Sequence, residues 1–173
     1  MRYIRVIGGV IAALAFAATT NAGPVEDKAQ VMVSGAESGN VDVAIEISEK
    51  AFNVTKGGTA RGFTLMAGTP TVIQLRNRDL VAHEFMSTLF RDVPFHISGN
   101  ATVVKTARAS GLRIDPGQTV TLEFNVPVAK EDQFGAAESS YDVFWCNVHG
   151  KEHGQKMRGE LLIIETRGEI GGG

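Results

Sequence analysis

The chain has a single cysteine, Cys146, among 173 residues, so no disulfide can form within it. The thiol is free, paired with another molecule, or held by a metal. Positive charge is not in excess: 17 Lys and Arg stand against 19 Asp and Glu, a formal net charge of −2. That argues against nucleic-acid binding, because phosphate recognition needs a basic surface. Long apolar runs are also scarce. The uncharged stretch from Val6 to Ala18 is shorter than the ~20 residues a membrane-spanning helix needs, and no second segment approaches that length. There is no internal repeat and no low-complexity block. What is present, 43% hydrophobic and 21% charged residues, is the balance of a folded globular chain.

The first 22 residues carry an address. Arg2 and Arg5 precede the Val6–Ala18 stretch, and small residues follow up to Ala22. A positive start, an apolar middle and a small-residue end define a secretory signal peptide. The expectation is export, into the periplasm if the source is a Gram-negative bacterium, with residues 1–22 removed. That removal takes two arginines and no acid, which shifts the net charge from −2 to −4. Residues 23–40 read as an N-terminal extension and 168–173 as a flexible tail ending in three glycines. Between them, 41–167 reads as one domain.

That domain alternates. Val41 to Ser48 places apolar and polar residues in strict succession, as a half-buried strand requires. Phe63–Leu65, Thr71–Asn77, Leu112–Ile114, Thr119–Val126, Tyr141–Cys146 and Gly159–Glu165 continue the theme. Turn signals stand between them, among them Asp115-Pro116-Gly117, where Pro presets φ and Gly accepts a positive φ. Val128 to Ser140 suits a short helix or a loop, and residues 86–110 carry no clear pattern. Many short strands between turns predict an all-β antiparallel sandwich or barrel.

The chemistry concentrates near the C-terminus. Within Phe144 to Gly159 stand Cys146, His149, His153 and Met157, in a glycine-bearing loop between two predicted strands. Thiolate, imidazole and thioether are the ligand set of copper: soft sulfur suits Cu(I), and imidazole serves both oxidation states. A loop that turns back on itself brings such residues to one ion. A further histidine is available from Leu80-Val81-Ala82-His83-Glu84-Phe85. His83 would tie the loop to a distant part of the chain. Glu84 should face the opposite side of a strand from His83, and Trp145 should point away from any ion at Cys146. His96 has no patterned partner and reads as a surface or structural residue.

With these residues in place, the sequence resembles the cupredoxins, the plastocyanin and azurin family of exported copper proteins. The resemblance spans roughly residues 41–165. It rests on Asn77 with His83-Glu84-Phe85, on the aromatic strand into Cys146, and on Met157-Arg158-Gly159-Glu160-Leu161. It implies a Greek-key β-sandwich with one copper ion near one end, an equatorial set of His83, Cys146 and a second histidine, and Met157 as a weak axial ligand. The loop admits three arrangements. Cys146-x2-His149 is similar to the plastocyanin spacing, which leaves His153 a spectator. His153-x3-Met157 is similar to the azurin ending. Both histidines binding, with Met157 weak or absent, is similar to the dinuclear loop of cytochrome oxidase and to the red copper protein nitrosocyanin.

The functional expectation is a carrier of single electrons between redox partners. Lys151, Glu152, Lys156 and Arg158 crowd the loop with net positive charge, so a redox partner with an acidic docking face is expected. A copper carrier, buffer or uptake accessory without redox turnover is the alternative. An enzyme using Cys146 as nucleophile is not expected, because no third residue, oxyanion-hole motif or pocket signal accompanies it.

Overall fold

The computed structural model of the chain describes residues 40–128, 139–149 and 154–165. The signal segment 1–22, nearly all of the extension 23–40, the tail 168–173, most of the helix-or-loop segment 128–140, and His153 lie outside the described residues.

Strict alternation becomes strand wherever it occurs. In β1 (Val43–Ser48) the residues Val43, Ile45 and Ile47 are buried while their neighbours are half-exposed. The chain continues through β2 (Ala51–Lys56), β3 (Gly58–Thr59), β4 (Gly62–Met66), β5 (Pro70–Asn77) and β6 (His83–Ser87). A one-turn helix, α1 (Leu89–Asp92), leads to β7 (Phe95–Ser98), β8 (Thr102–Lys105), β9 (Ser110–Ile114) and β10 (Thr119–Asn125). Then come β11 (Ser140–Trp145), a 3-10 turn at Gly154–Met157, and β12 (Arg158–Ile164).

Two sheets form, in the orders β2-β1-β5-β10-β7 and β3-β4-β12-β11-β6-β9-β8, the all-β sandwich expected. One expectation needs correcting: the sheets are mixed rather than antiparallel, since β1 runs parallel to β5 and β4 parallel to β12. A parallel pair needs a crossover connection. After the β1–β2 hairpin the chain passes into the other sheet as β3 and β4, then returns as β5 beside β1. Strands β2, β7 and β8 and the short helix had no clear signature, because their alternation is broken by polar residues and they lie at or beside sheet edges. Pro70, expected in a turn, is the first residue of β5, a place where its missing N–H costs no ladder bond.

The core lies between the sheets. Ile45, Ile47, Ile73, Leu75 and Leu122 from one sheet face Phe85, Leu112, Ile114, Phe144 and Leu161 from the other, each with at most 1% of its surface exposed. Phe144 is the hub of an aromatic cluster, with ring centroids 5.1 Å from Phe85, 5.4 Å from Phe52 and 5.3 Å from Phe63. The cluster anchors the strand that ends just before Cys146.

Two polar latches hold the strand ends. The Asp142 carboxylate on β11 accepts hydrogen bonds from Ser87 Oγ, Thr88 Oγ and Leu89 N at 2.6–2.8 Å, clamping the end of β6 to β11. Asn77, fully buried, donates from Nδ2 to the carbonyls of Val81, Ile114 and Asp115 at 2.9–3.2 Å. Its Oδ1 accepts the Asp79 N–H at 3.0 Å. This one amide pins the segment leading to His83 against the β9–β10 turn.

Gly159 has no room for a side chain: a Cβ there would stand 2.0 Å from the Phe144 ring. Gly159→Ala is expected to lower unfolding stability by about 1–3 kcal/mol through overpacking. Denaturant unfolding checks this, and a variant as stable as the parent would contradict the packing described.

Candidate metal centre

Three side chains from two separate stretches converge at one end of the sandwich. His83 opens β6, Cys146 follows β11 directly, and His149 lies three residues on, in the turn after β11. The distances are 3.1 Å from His83 Nδ1 to His149 Nδ1, 3.6 Å from Cys146 Sγ to His149 Nδ1, and 3.9 Å from Cys146 Sγ to His83 Nδ1. His83 and Cys146 are fully buried, and His149 is half-buried. Such a group could hold a metal ion.

The triangle has the dimensions of a coordination plane. A point equidistant from the three atoms lies about 2.1 Å from each. Metal bonds to imidazole nitrogen run about 2.0–2.1 Å and to thiolate sulfur about 2.3 Å at a zinc ion, a fair guide for a similar cation. The donor chemistry agrees. The Asp79 carboxylate accepts from His83 Nε2 at 2.8 Å, so that nitrogen carries the ring proton and Nδ1 presents a lone pair. That lone pair faces a second imidazole nitrogen and a sulfur, an arrangement a cation would stabilise. Two imidazoles and a thiolate fit copper.

The surroundings hold the donors in place. Glu84 N–H donates to Cys146 Sγ at 3.4 Å, which holds the sulfur in place. Cys146 N–H donates to the Met157 carbonyl at 2.9 Å, closing the loop on itself. Asp79 also accepts the Glu49 and Lys50 N–H groups at 2.8 and 2.9 Å. Burial pushes the His83 pKa down; the Asp79 hydrogen bond and charge only partly restore it, and the charges of His149 and Lys50 push it down again. For Asp79, burial pushes upward, but the Lys50 N–H, His83 and the Glu49 N–H outweigh it and leave the carboxyl below its ordinary value.

Of the expected ligands, His83, Cys146 and His149 are brought together. Met157 is fully buried in the core cluster and bonded through its backbone to Cys146; His153 lies outside the described residues. Glu84 does not join the donors and is buried, its Oε2 lacking a hydrogen-bond partner among the described residues. Trp145 is half-buried next to the core residue Phe144, and His96 is exposed on β7 opposite Glu123. The residue sequence reasoning missed is Asp79. Its position four residues before His83 was visible, but its role depends on a loop that curls back, which spacing alone does not show.

No protein-family model matches the chain, and no curated protein matches it in sequence. Solved structures similar to it include a reduced Cu(I) form of an amicyanin variant, with 13% identity, 74% of this chain and 87% of the other covered, and a TM-score of 0.41. A second reduced amicyanin variant has 14% identity over the same shares, with a TM-score of 0.42. A multicopper oxidase from Campylobacter jejuni, described as a metallo-oxidase, has 11% identity and a TM-score of 0.44, with 73% of this chain and 30% of that chain covered.

The pKa directions have a consequence for the metal-free protein. A His83 value held below its ordinary 6.5 means the unfolded chain binds that proton more readily. Its contribution to stability is therefore complete above pH 6.5 and is lost as pH falls through the folded value. Asp79, held below its ordinary 3.8, adds a further loss at lower pH by the same sign. Urea unfolding of the metal-free protein is expected to show stability falling from pH 7 to pH 5, and falling less in His83→Gln. A stability that rises over that interval would contradict the buried neutral imidazole.

Proposed function

We propose that the chain is a mononuclear copper protein that carries single electrons, with His83, Cys146 and His149 as the residues that would hold the ion and Met157 as a further sulfur donor. The observation that carries this reading is the triangle of two imidazole nitrogens and one sulfur, 3.1–3.9 Å on a side, at the end of a rigid β-sandwich. Copper held there would supply a one-electron couple. The chain's own contribution is to limit rearrangement when the electron moves. His83 is fixed by Asp79, Cys146 by the Glu84 and Met157 backbones, and both strands by the aromatic core.

His149 is the donor nearest solvent, being half-buried where His83 and Cys146 are fully buried. Exposed apolar residues stand beside the donors in the chain: Val148, next to His149, is 47% exposed, and Leu80 and Val81, just before His83, are 94% and 41% exposed. A partner would meet this apolar rim and take the electron through the His149 ring. On the segment that follows the loop, Lys156 and Arg158 are exposed, and Arg158 lines a cleft of about 430 Å³ with Arg61 and Glu160. This favours a redox partner with an acidic face, and association is expected to weaken steeply with ionic strength. Export by the N-terminal segment and the absence of catalytic turnover belong to the same reading.

Copper carriage without redox turnover is the second reading. The neighbouring His153 favours it, because a further imidazole would bind Cu(II) more tightly and slow the couple.

Two experiments decide. The copper-loaded protein is expected to show an intense thiolate-to-copper band with narrow hyperfine splitting. Cys146→Ser and His149→Ala should lose that band, whereas His153→Ala should keep it. A band that survives in Cys146→Ser would end the assignment, and one lost only with His153 would move the second ligand to that residue. Cyclic voltammetry should give a fast, reversible one-electron wave; a bound but electrochemically inert copper would favour the carrier.

A further inference from the structure

The turn between β1 and β2 is built from Glu49 and Lys50, both with φ of 53°. Two consecutive left-handed residues define the tight hairpin that pairs Ser48 with Ala51. Glycine or asparagine is usual there, because a side chain in that conformation costs roughly 1–2 kcal/mol per residue. Both strained residues give their N–H groups to one carboxylate, Glu49 to Asp79 Oδ1 at 2.8 Å and Lys50 to Asp79 Oδ2 at 2.9 Å. The same Oδ2 accepts from His83 Nε2 at 2.8 Å, and Asp79 N–H is in turn held by Asn77. The carboxylate is thus fixed from three sides, and its side chain is only 16% exposed.

We propose that Asp79 is a positioning residue of the metal centre: it fixes the His83 tautomer so that Nδ1 is the donor, and its charge favours the oxidised, more positive ion. This rests on the copper reading above. A carboxylate has no proton to give at neutral pH, so the shared hydrogen must sit on Nε2. That leaves Nδ1 as the lone pair directed at Cys146 Sγ and His149 Nδ1. The negative charge makes the imidazole a stronger donor, an effect transmitted through one hydrogen bond. Since Cu(II) gains more than Cu(I) from a more basic ligand and a nearby negative charge, the potential is held low. The hairpin turn belongs to this device, because its two strained N–H groups anchor the carboxylate where the ring needs it.

The test has one arm that needs neither copper nor a variant. Nitrogen-15 NMR of the metal-free wild-type chain is expected to find His83 protonated on Nε2 and bare on Nδ1. Protonation on Nδ1 would overturn the proposal. In the second arm, Asp79→Asn keeps the shape and removes the charge. Cu(II) affinity is expected to fall by about 10- to 100-fold with Cu(I) affinity nearly unchanged, a rise in midpoint potential of about 59 mV per tenfold for a one-electron couple. Loss of the turn's acceptor could destabilise this variant. Adding Glu49→Gly and Lys50→Gly, which suit the left-handed turn, is expected to restore stability while leaving the potential raised. A folded Asp79→Asn with the parent's potential, or a potential that returns when the glycines are added, would overturn the positioning role. A wild-type chain that takes up no copper, yet shows the Nε2-protonated ring, would overturn the copper reading and leave the tautomer assignment standing.

Discussion

Three electron-rich atoms from three points on the chain are held 3.1–3.9 Å apart at one end of the sandwich. Nothing in the hydrophobic effect asks for this. Apolar burial would favour separating two imidazoles and a thiol, or at least turning their lone pairs to water. The arrangement persists because two of the donors are fixed by bonds that do not involve the third: His83 by Asp79 and Cys146 by two backbone contacts, with both strands held by the packing of Phe144 against Phe85 and Phe52. The sandwich therefore works as a frame that keeps mutually unfavourable donors together, a conflict that a bound cation would relieve.

The supporting bonds form a chain of their own. Asn77 braces the loop before His83 against the β9–β10 turn, and it also orients Asp79. Asp79 then joins the strained β1–β2 turn to the imidazole. On the other side, Asp142 ties β11 to the end of β6. The bonds made by Asn77, by Asp142 to Ser87 and Leu89, and by Asp79 to His83 are buried or half-buried, where a missing partner would be costly; those of Asp79 to the turn are exposed. A disturbance at the Glu49–Lys50 turn is thereby linked to the His83 ring through two hydrogen bonds rather than through the core.

Much of this could be read from the residues, and the reasons differ by region. β1, β5, β10 and β12 declare themselves because one face is buried and the other wet, so their apolar residues fall at every second position. Cys146 stood out because one loop sets it among histidines, but spacing left His149 and His153 equal; the folded turn brings His149 to Cys146 and His83. The parallel pairing of β1 with β5 was not legible, since nothing in either strand says which neighbour the other sheet will leave beside it. β6 hid its character differently: all five of its residues are buried, including Glu84, so it shows no alternation at all. Asp79 looked like an ordinary turn acid. Its meaning lies in contacts 29 and 30 residues back along the chain, which only the folded hairpin reveals.

The most direct test of the central claim is X-ray absorption at the copper edge of the loaded wild-type protein. One short sulfur shell and two imidazole nitrogens are expected, with any second sulfur distant, and the short sulfur should vanish in Cys146→Ser. A first shell of nitrogen and oxygen alone, with no thiolate sulfur, would contradict that claim.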